Sequence, residues 1–183
     1  MENHIYKMKN QIIKVRNPED KIISSRDNLR SILERLRAEG KIIVFTNGCF
    51  DIIHVGHIKI LFEAKKQGDI LIVGINDDDS VKRLKGKDRP ILPLSARQVI
   101  LASIEAVDYV VPFSEDTPEN LIKEIEPNVL VKGEDWPEDK IVGADFVKSK
   151  GGKIVRVKLV EGFSTSNIIK KIREKESSSS MKK

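Results

Sequence analysis

The stretch TNGCFDIIHVGH, Thr46–His57, stands between an apolar run, Lys41–Thr46 (KIIVFT), and a segment of helical periodicity, Val55–Gln67. A short apolar run is typical of a strand buried on both faces of a parallel sheet, and Gly48 permits a sharp turn after it. Strand, turn and helix in this order indicate the first unit of an α/β fold, whose ligands bind at the carboxyl ends of the strands. We therefore expect a ligand site in Thr46–His57.

The same alternation of apolar runs and amphipathic segments continues through most of the chain. The remaining predicted strands are Ile70–Ile75, Asp108–Val111, Asn128–Val131 and Lys153–Val157. A helix is predicted around Leu29–Leu36, and the others are Ser95–Glu105, Thr117–Ile125 with Thr117 as the N-cap, Lys140–Lys150 and Ser164–Arg173. The sequence therefore predicts an α/β, doubly wound fold with a parallel five-stranded sheet.

Composition narrows the classes of function. No apolar run approaches the roughly 20 residues of a membrane span, no secretory signal is visible, and the single cysteine, Cys49, rules out an intrachain disulfide. These features indicate a cytoplasmic protein without a membrane partner. The net charge of +5 is concentrated at the termini, because residues 1–30 and 170–183 together carry thirteen Lys or Arg and six Asp or Glu. With 5% aromatic residues, we expect no nucleic-acid partner.

Two histidines make the stretch after the first strand chemically distinctive. His54 and His57 are three residues apart and share one face of a helix that begins near them, and Gly56 leaves room for a ligand to approach the backbone. Free N–H groups and the positive end of the helix dipole suit a triphosphate. Three other interpretations of this stretch are open. The histidines serve structure alone, they form a metal site with Cys49 and Asp51, or Cys49 is the nucleophile of a hydrolase.

The string G-x-F-D-x-x-H-x-G-H, Gly48–His57, resembles the nucleotidylyltransferase superfamily named for its H-x-G-H motif. The resemblance implies a Rossmann-like, cytidylyltransferase-like sheet. A second string, Glu161–Asn167 (EGFSTSN), resembles the superfamily's Ser/Thr helix start, in which hydroxyls and backbone amides hold nucleotide phosphates. Ser164 is also a natural N-cap, so a simple capping cluster without a ligand is the alternative.

A basic segment, Arg83–Pro90 (RLKGKDRP), is the third element of the predicted site. Lys85 and Lys87 flank Gly86 in a flexible loop that reaches a second phosphate; the alternative is a solvated run of charges. Arg97 places a cation at a helix start, where the dipole disfavours it unless an anion is near. We therefore predict a phosphate contact for Arg97.

Residues Ile22 to Arg173 resemble, in order, the bacterial heptose 1-phosphate adenylyltransferases. The matching strings are FTNGCFDIIHVGH, GINDDDSVKRLKG, RPILPLSAR, EAVDYVVPFSEDTP, VLVKGEDW and EGFSTSNII. The resemblance implies transfer of AMP from ATP to D-glycero-β-D-manno-heptose 1-phosphate, which a separate kinase supplies. It also implies a homo-oligomer, a dimer or larger, and three regions: an N-terminal arm (1–21), the nucleotidylyltransferase domain (22–173) and a disordered tail (174–183).

The resemblance assigns roles to individual positions. The predicted catalytic residues are His54, His57 and Lys85, and Lys87 is the alternative to Lys85 as the lysine that clamps a phosphate. The predicted nucleotide-binding residues are Asn47, Gly48, Cys49, Phe50, His54, Gly56, His57, Arg97, Gly133, Gly162, Phe163, Ser164 and Thr165. The predicted substrate-binding residues are Asp51, Lys85, Lys87, Asp135 and Trp136. Mg²⁺ accompanies ATP, and the sequence does not identify its protein ligands.

Other functions of the same fold remain open at this point. Glycerol-3-phosphate cytidylyltransferases share F-D-x-x-H-x-G-H and a G-D-D-W segment similar to Gly133–Trp136, but Leu159 and Val160 stand where those enzymes have an Arg-Thr pair. An FAD synthetase-like adenylyltransferase is a more distant alternative. A nucleotide-binding sensor without catalysis would be expected to lose part of the H-x-G-H or Ser-Thr element, and both are complete here.

Overall fold

Five parallel strands form one sheet in the computed structural model, which describes residues 16–180. Most of the predicted N-terminal arm therefore lies outside the described residues. The strands are β1 (Ile43–Gly48), β2 (Ile70–Asn76), β3 (Tyr109–Phe113), β4 (Val129–Gly133) and β5 (Lys153–Val157). Their order across the sheet is β3-β2-β1-β4-β5, and every pair is parallel. The predicted doubly wound α/β fold is confirmed.

Helices connect the strands and cover both faces of the sheet. They are α1 (Arg26–Ala38), α2 (Val55–Lys65), α3 (Asp78–Lys85), α4 (Leu94–Ala102), α5 (Glu119–Ile125), α6 (Ala144–Ser149) and α7 (Thr165–Ser180), with short 3₁₀ turns at Pro18–Lys21 and Glu138–Lys140. None of the helices between residues 16 and 180 is long and apolar enough to cross a membrane.

The strands alternate their side chains between two apolar clusters. Val44 of β1 belongs to the cluster that includes Leu61 of α2 and Leu101 of α4. Phe45, the next residue of β1, belongs to the cluster that includes Leu33 of α1 and Ile122 of α5. Because both faces are buried in β1 to β4, these strands are apolar almost throughout, which is the pattern that made them recognisable in the sequence. The edge strand β5 is less buried and carries the exposed Lys153 and Arg156.

The structure differs from the sequence prediction at three helices. Helix α3 was not predicted; Asp77 caps it by accepting a hydrogen bond from the Ser80 N–H at 2.7 Å, and its acidic first turn and basic last turn suit the helix dipole. Helix α5 begins at Glu119 after Pro118, without a side-chain cap, so Thr117 is not its N-cap. Helix α7 continues through Glu174 to Ser180, where the sequence predicts a disordered tail.

The strand order places the topological switch point between β1 and β4. From β1 the chain adds β2 and β3 on one side, then returns to add β4 and β5 on the other. Connections on opposite sides leave a crevice above the carboxyl ends of the two strands, here Gly48 and Gly133. The predicted site segment, Thr46–His57, leaves β1 at this crevice.

Candidate active site

His54 is the N-cap of α2, and its ring forms part of the helix start. Its Nδ1 accepts a hydrogen bond from the N–H of Gly56 at 3.2 Å. In a neutral imidazole one nitrogen accepts and the other donates, so this bond assigns the proton to Nε2. A Cβ at Gly56 would lie 3.0 Å from the His54 ring. Glycine in the motif thus allows the ring to fold over the helix start.

His57 stacks on His54 and is held in its neutral form. The two ring centroids are 3.9 Å apart at an interplanar angle of 27°, and the Phe50 ring lies 5.3 Å from His57. Burial, reinforced by the neighbouring His54, lowers the pKa of His57 to about 4. Burial also lowers the pKa of His54. The buried Nδ1 of His57 has no hydrogen-bond partner among the described residues.

The turn between β1 and α2 depends on Asp51, whose side chain is completely buried. The carboxylate accepts hydrogen bonds from Arg89 Nε at 2.7 Å and from the N–H groups of Ile91 and Leu92 at 2.8 and 3.1 Å. Burial alone would raise the pKa of Asp51, but these three bonds lower it below its usual value. Asp51, predicted to bind substrate, therefore anchors the basic loop to the turn.

The H-x-G-H and Ser-Thr elements meet at the start of α7. Thr165 Oγ1 donates to the backbone oxygen of Asp51 at 2.6 Å, and the Phe163 carbonyl would lie 3.7 Å from a Cβ at Gly56. Ser164 Oγ accepts from the N–H of Asn167 at 3.1 Å, which confirms Ser164 as the helix cap. The Thr165 hydroxyl is thus occupied by Asp51, and this element offers a phosphate its backbone N–H groups.

Arg97, for which the sequence predicts a phosphate contact, is bound inside the protein. Its side chain is completely buried. Its guanidinium donates to the carbonyls of Cys49, Asn76 and Leu92 at 2.6–3.0 Å and to Asp78 Oδ1 at 2.7 Å. The unfavourable helix position is therefore compensated inside the protein. Arg97 ties the ends of β1 and β2 to the loop before α4.

Lys85 and Lys87 occupy different positions. Lys85 is the last residue of α3 and lines a cavity of about 360 Å³ together with Arg89 and Ser166 of α7. The positive charge of Lys85 also acts on the Cys49 thiol, although burial raises the pKa of that thiol overall. Both lysines are exposed, and Lys87 is not among the residues that line this cavity. The structure thus brings Lys85 closer to the predicted site than Lys87.

Lys132 is a site residue that the sequence analysis missed. It lies in β4, one residue before the strand ends, and its Nζ donates to Asn47 Oδ1 at 2.5 Å. Burial lowers the pKa of Lys132 to about 8, against the opposing effects of Asp135 and Cys49. The signal was a lysine within an otherwise apolar strand, VLVKG. A half-buried lysine with a lowered pKa at a sheet crevice is a candidate for a functional site.

The remaining predicted residues lie at the end of β4. The Asp135 carboxylate folds back against Gly133, where a Cβ would displace it, and the Glu134 N–H donates to Val157 of β5. Trp136 is exposed. Across the described part of the chain, no group of three or more His, Cys, Asp or Glu residues could hold a metal ion. The alternative of a metal site formed by His54, His57, Cys49 and Asp51 thus gains no support.

Comparisons with known sequences agree with this geometry. The sequence profile of the cytidylyltransferase-like family matches residues 45–183. The bifunctional protein HldE of Alcanivorax borkumensis is 52% identical over 144 residues, and that of Ectopseudomonas mendocina is 55% identical over 143 residues. These alignments cover 79% and 78% of this chain but 30% of each relative. The chain therefore spans less than a third of the length of these bifunctional proteins.

Solved structures share the same architecture. The lipopolysaccharide core biosynthesis protein of Thermoplasma volcanium is 32% identical, with a TM-score of 0.57 over 67% of this chain and 100% of that one. Pantoate-beta-alanine ligase of Francisella tularensis, complexed with beta-gamma ATP and beta-alanine, has a TM-score of 0.56 at 21% identity, over 75% of this chain and 66% of that one. The second likeness concerns the fold alone.

We predict that Arg97→Met destabilises the protein strongly. The substitution leaves the carbonyls of Cys49, Asn76 and Leu92 without their buried donor, and each unsatisfied group costs roughly 1–3 kcal/mol. Urea denaturation should therefore show a loss of at least about 3 kcal/mol. Arg83→Met, which removes an exposed arginine paired with Asp116, is the matched control and should barely shift the midpoint. Equal effects of the two substitutions would contradict the structural role of Arg97.

Proposed function

Because the chain belongs to the cytidylyltransferase-like family of nucleotidyltransferases, we propose that it transfers AMP from ATP to D-glycero-β-D-manno-heptose 1-phosphate and releases pyrophosphate. The product, ADP-heptose, serves the synthesis of lipopolysaccharide or another surface glycan. The choice of substrates rests on 52–55% identity to HldE proteins and on the ordered strings between residues 22 and 173. The structural similarity to a lipopolysaccharide core biosynthesis protein also supports this proposal.

One observation carries the proposed chemistry: the start of α7 is held against the H-x-G-H turn. The Thr165 hydroxyl bonds to the Asp51 backbone, and Phe163 approaches Gly56. The starts of α2 and α7 therefore lie close together, beside the rings of His54 and His57. Helix starts offer unpaired N–H groups and partial positive charge, which suit a triphosphate.

In the proposed reaction a phosphate oxygen of the sugar phosphate attacks the α-phosphorus of ATP in line. A new P–O bond forms as the bond to the pyrophosphate leaving group breaks. The attacking oxygen is already anionic, so no strong general base is required. Catalysis consists of positioning the two anions and stabilising the charge of the transition state. We assign His54 and His57 to the triphosphate, and Lys85 to the departing or incoming phosphate.

Magnesium fits this site as a partner of the nucleotide. The described residues provide no cluster of carboxylates, and Mg²⁺ commonly uses substrate phosphates and water as most of its ligands. When bound with ATP it neutralises charge on the phosphates. We place the reaction in the cytoplasm, where ATP is available, and we retain the proposals that the protein is a homo-oligomer and that a separate kinase supplies the sugar phosphate.

The choice of nucleotide separates this proposal from the alternative of a glycerol-3-phosphate cytidylyltransferase. The exposed Trp136 supports that alternative, because it belongs to the segment Gly133–Trp136 that resembles those enzymes. We expect ATP to be preferred over CTP by at least about tenfold, because a pocket satisfied by one base leaves polar groups unpaired with the other. Pyrophosphate release should be measured for ATP, CTP and GTP, each with heptose 1-phosphate and with glycerol 3-phosphate. A preference for CTP with glycerol 3-phosphate would replace the proposed function by the alternative.

We predict that Lys85→Ala and Lys87→Ala differ. Both lysines are exposed, but Lys85 lines the cavity beside α7 and Lys87 does not. Loss of Lys85 should lower kcat/KM by at least about tenfold, as expected for a hydrogen bond to a charged group, while Lys87→Ala should be close to wild type. Steady-state kinetics with ATP and heptose 1-phosphate measure both. If both variants have wild-type kcat/KM, the segment is a solvated run of charges without a role in phosphate binding.

We also predict that ATP binding protonates His57. Its pKa is about 4 in the free site, and a neighbouring anion favours the charged imidazole. Near pH 5–6, binding of a non-hydrolysable ATP analogue should therefore take up as much as about one proton. Calorimetry in buffers of different ionisation enthalpy measures this uptake. His57→Ala should abolish it and lower kcat roughly 10²–10³-fold; an unchanged uptake would remove His57 from the phosphate site.

A further inference from the structure

The environment of Lys132 is unusual for a lysine. Its Nζ donates to the side chain of Asn47 at 2.5 Å and lies 3.4 Å from the Asn47 carbonyl. No carboxylate of the described residues lies within 4.0 Å of it, since Lys132 takes part in none of the ion pairs found there. A half-buried ammonium whose hydrogen-bond partner is neutral is costly, and an anionic ligand would compensate for that cost.

The position of Lys132 in the sheet separates it from the histidines. Along β4, Leu130 belongs to the apolar cluster that includes residues of α1 and α5, and Val131 to the cluster that includes residues of α2. Because side chains alternate along a strand, Lys132 projects to the same face as Leu130. His54 and His57 come from the turn and helix on the opposite face. Lys132 and the two histidines therefore approach the crevice from different sides.

In-line displacement uses both sides of the α-phosphorus. The attacking oxygen enters opposite the departing pyrophosphate, so the two substrates have to be held on either side of one phosphorus atom. The starts of α2 and α7, which suit the triphosphate, both lie at the H-x-G-H turn. The acceptor phosphate is then left for the other side of the crevice, where Lys132 lies beside Asn47.

We propose that Lys132 binds the phosphate of the acceptor sugar and holds it in line with the α-phosphorus of ATP. This inference rests on the proposed nucleotidyl transfer and adds to it the residue that binds the second substrate. The ammonium also reduces the repulsion between two anionic substrates. It is paired with Asn47 in the free protein, and Asn47 keeps its orientation fixed until the phosphate arrives.

The pH dependence of the reaction provides a specific signature. The charged groups that act on Lys132 are Asp135, after β4, and Cys49, after β1. The pKa of Lys132 is lowered to about 8 by burial, and only the protonated amine attracts phosphate. For the sugar phosphate, kcat/KM should therefore fall as the pH rises through about 8, because the pH dependence of kcat/KM reports groups of the free enzyme.

The test compares Lys132→Met, Lys132→Arg and a control, Lys153→Met. Lys153 is an exposed lysine at the amino end of the neighbouring strand β5, away from the crevice. Lys132→Met should raise KM for heptose 1-phosphate roughly 10–100-fold, as expected for loss of a charged hydrogen bond, and should remove the alkaline fall in kcat/KM. Lys132→Arg should restore part of the affinity and move that fall to higher pH. The affinity for a non-hydrolysable ATP analogue, measured by calorimetry, should stay within about twofold of wild type in all three.

The outcomes separate this inference from the proposed function. An unchanged KM and pH profile in Lys132→Met, or a loss of nucleotide affinity instead, overturns the assignment of Lys132 while leaving the reaction intact. If wild type neither binds nor adenylates heptose 1-phosphate, the proposed function fails. The same variants are then compared with CTP and glycerol 3-phosphate as substrates. The inference fails too unless Lys132→Met raises the KM for glycerol 3-phosphate. Circular dichroism and thermal melting establish that each variant is folded.

Discussion

The carboxylate of Asp51 is enclosed between the turn after β1 and the loop before α4, and it accepts hydrogen bonds from Arg89 and from the backbone of Ile91 and Leu92. Its own carbonyl accepts the hydroxyl of Thr165, which positions the start of α7. One residue therefore joins three segments that are far apart in the sequence. The turn itself is strained, since Phe50 and Ile52 have positive φ values of 46° and 52°. Such conformations persist only where the surroundings hold them.

Arg97 supports the same turn from the other side. It donates to the carbonyls of Cys49 and Leu92, so Arg97 and Asp51 both bind the loop at Leu92, one through its carbonyl and the other through its N–H. Both charged groups are fully engaged within the protein. The groups that we propose for ligand binding are two neutral imidazoles, two helix starts and the amines of Lys85 and Lys132. An anion bound here would favour the protonated form of these histidines.

Local sequence patterns were sufficient to predict the sheet and the position of the candidate site along the chain. Each strand was predicted close to its observed position because burial on both faces requires a short run of apolar residues. The H-x-G-H and Ser-Thr strings were recognisable because their glycine, histidine and hydroxyl residues serve helix starts, which are local structures. Helix α3 was missed because its eight residues, DDSVKRLK, are mostly charged and read as the beginning of a loop. Its cap, Asp77, was the available signal.

The sequence by itself determined the order of strands and helices, the turn that follows β1 and the family to which the chain belongs. Only the tertiary structure decided what individual charged residues do. Arg97 was predicted to contact a phosphate, and its guanidinium donates to carbonyls within the protein. Asp51 was predicted to bind substrate, and its carboxylate accepts hydrogen bonds from a loop. Lys132 passed unnoticed until β1 and β4 placed it beside Asn47. The physical reason is that strand and helix patterns arise from neighbours in the sequence, whereas the partner of a buried charge is brought to it by chain folding over dozens of residues.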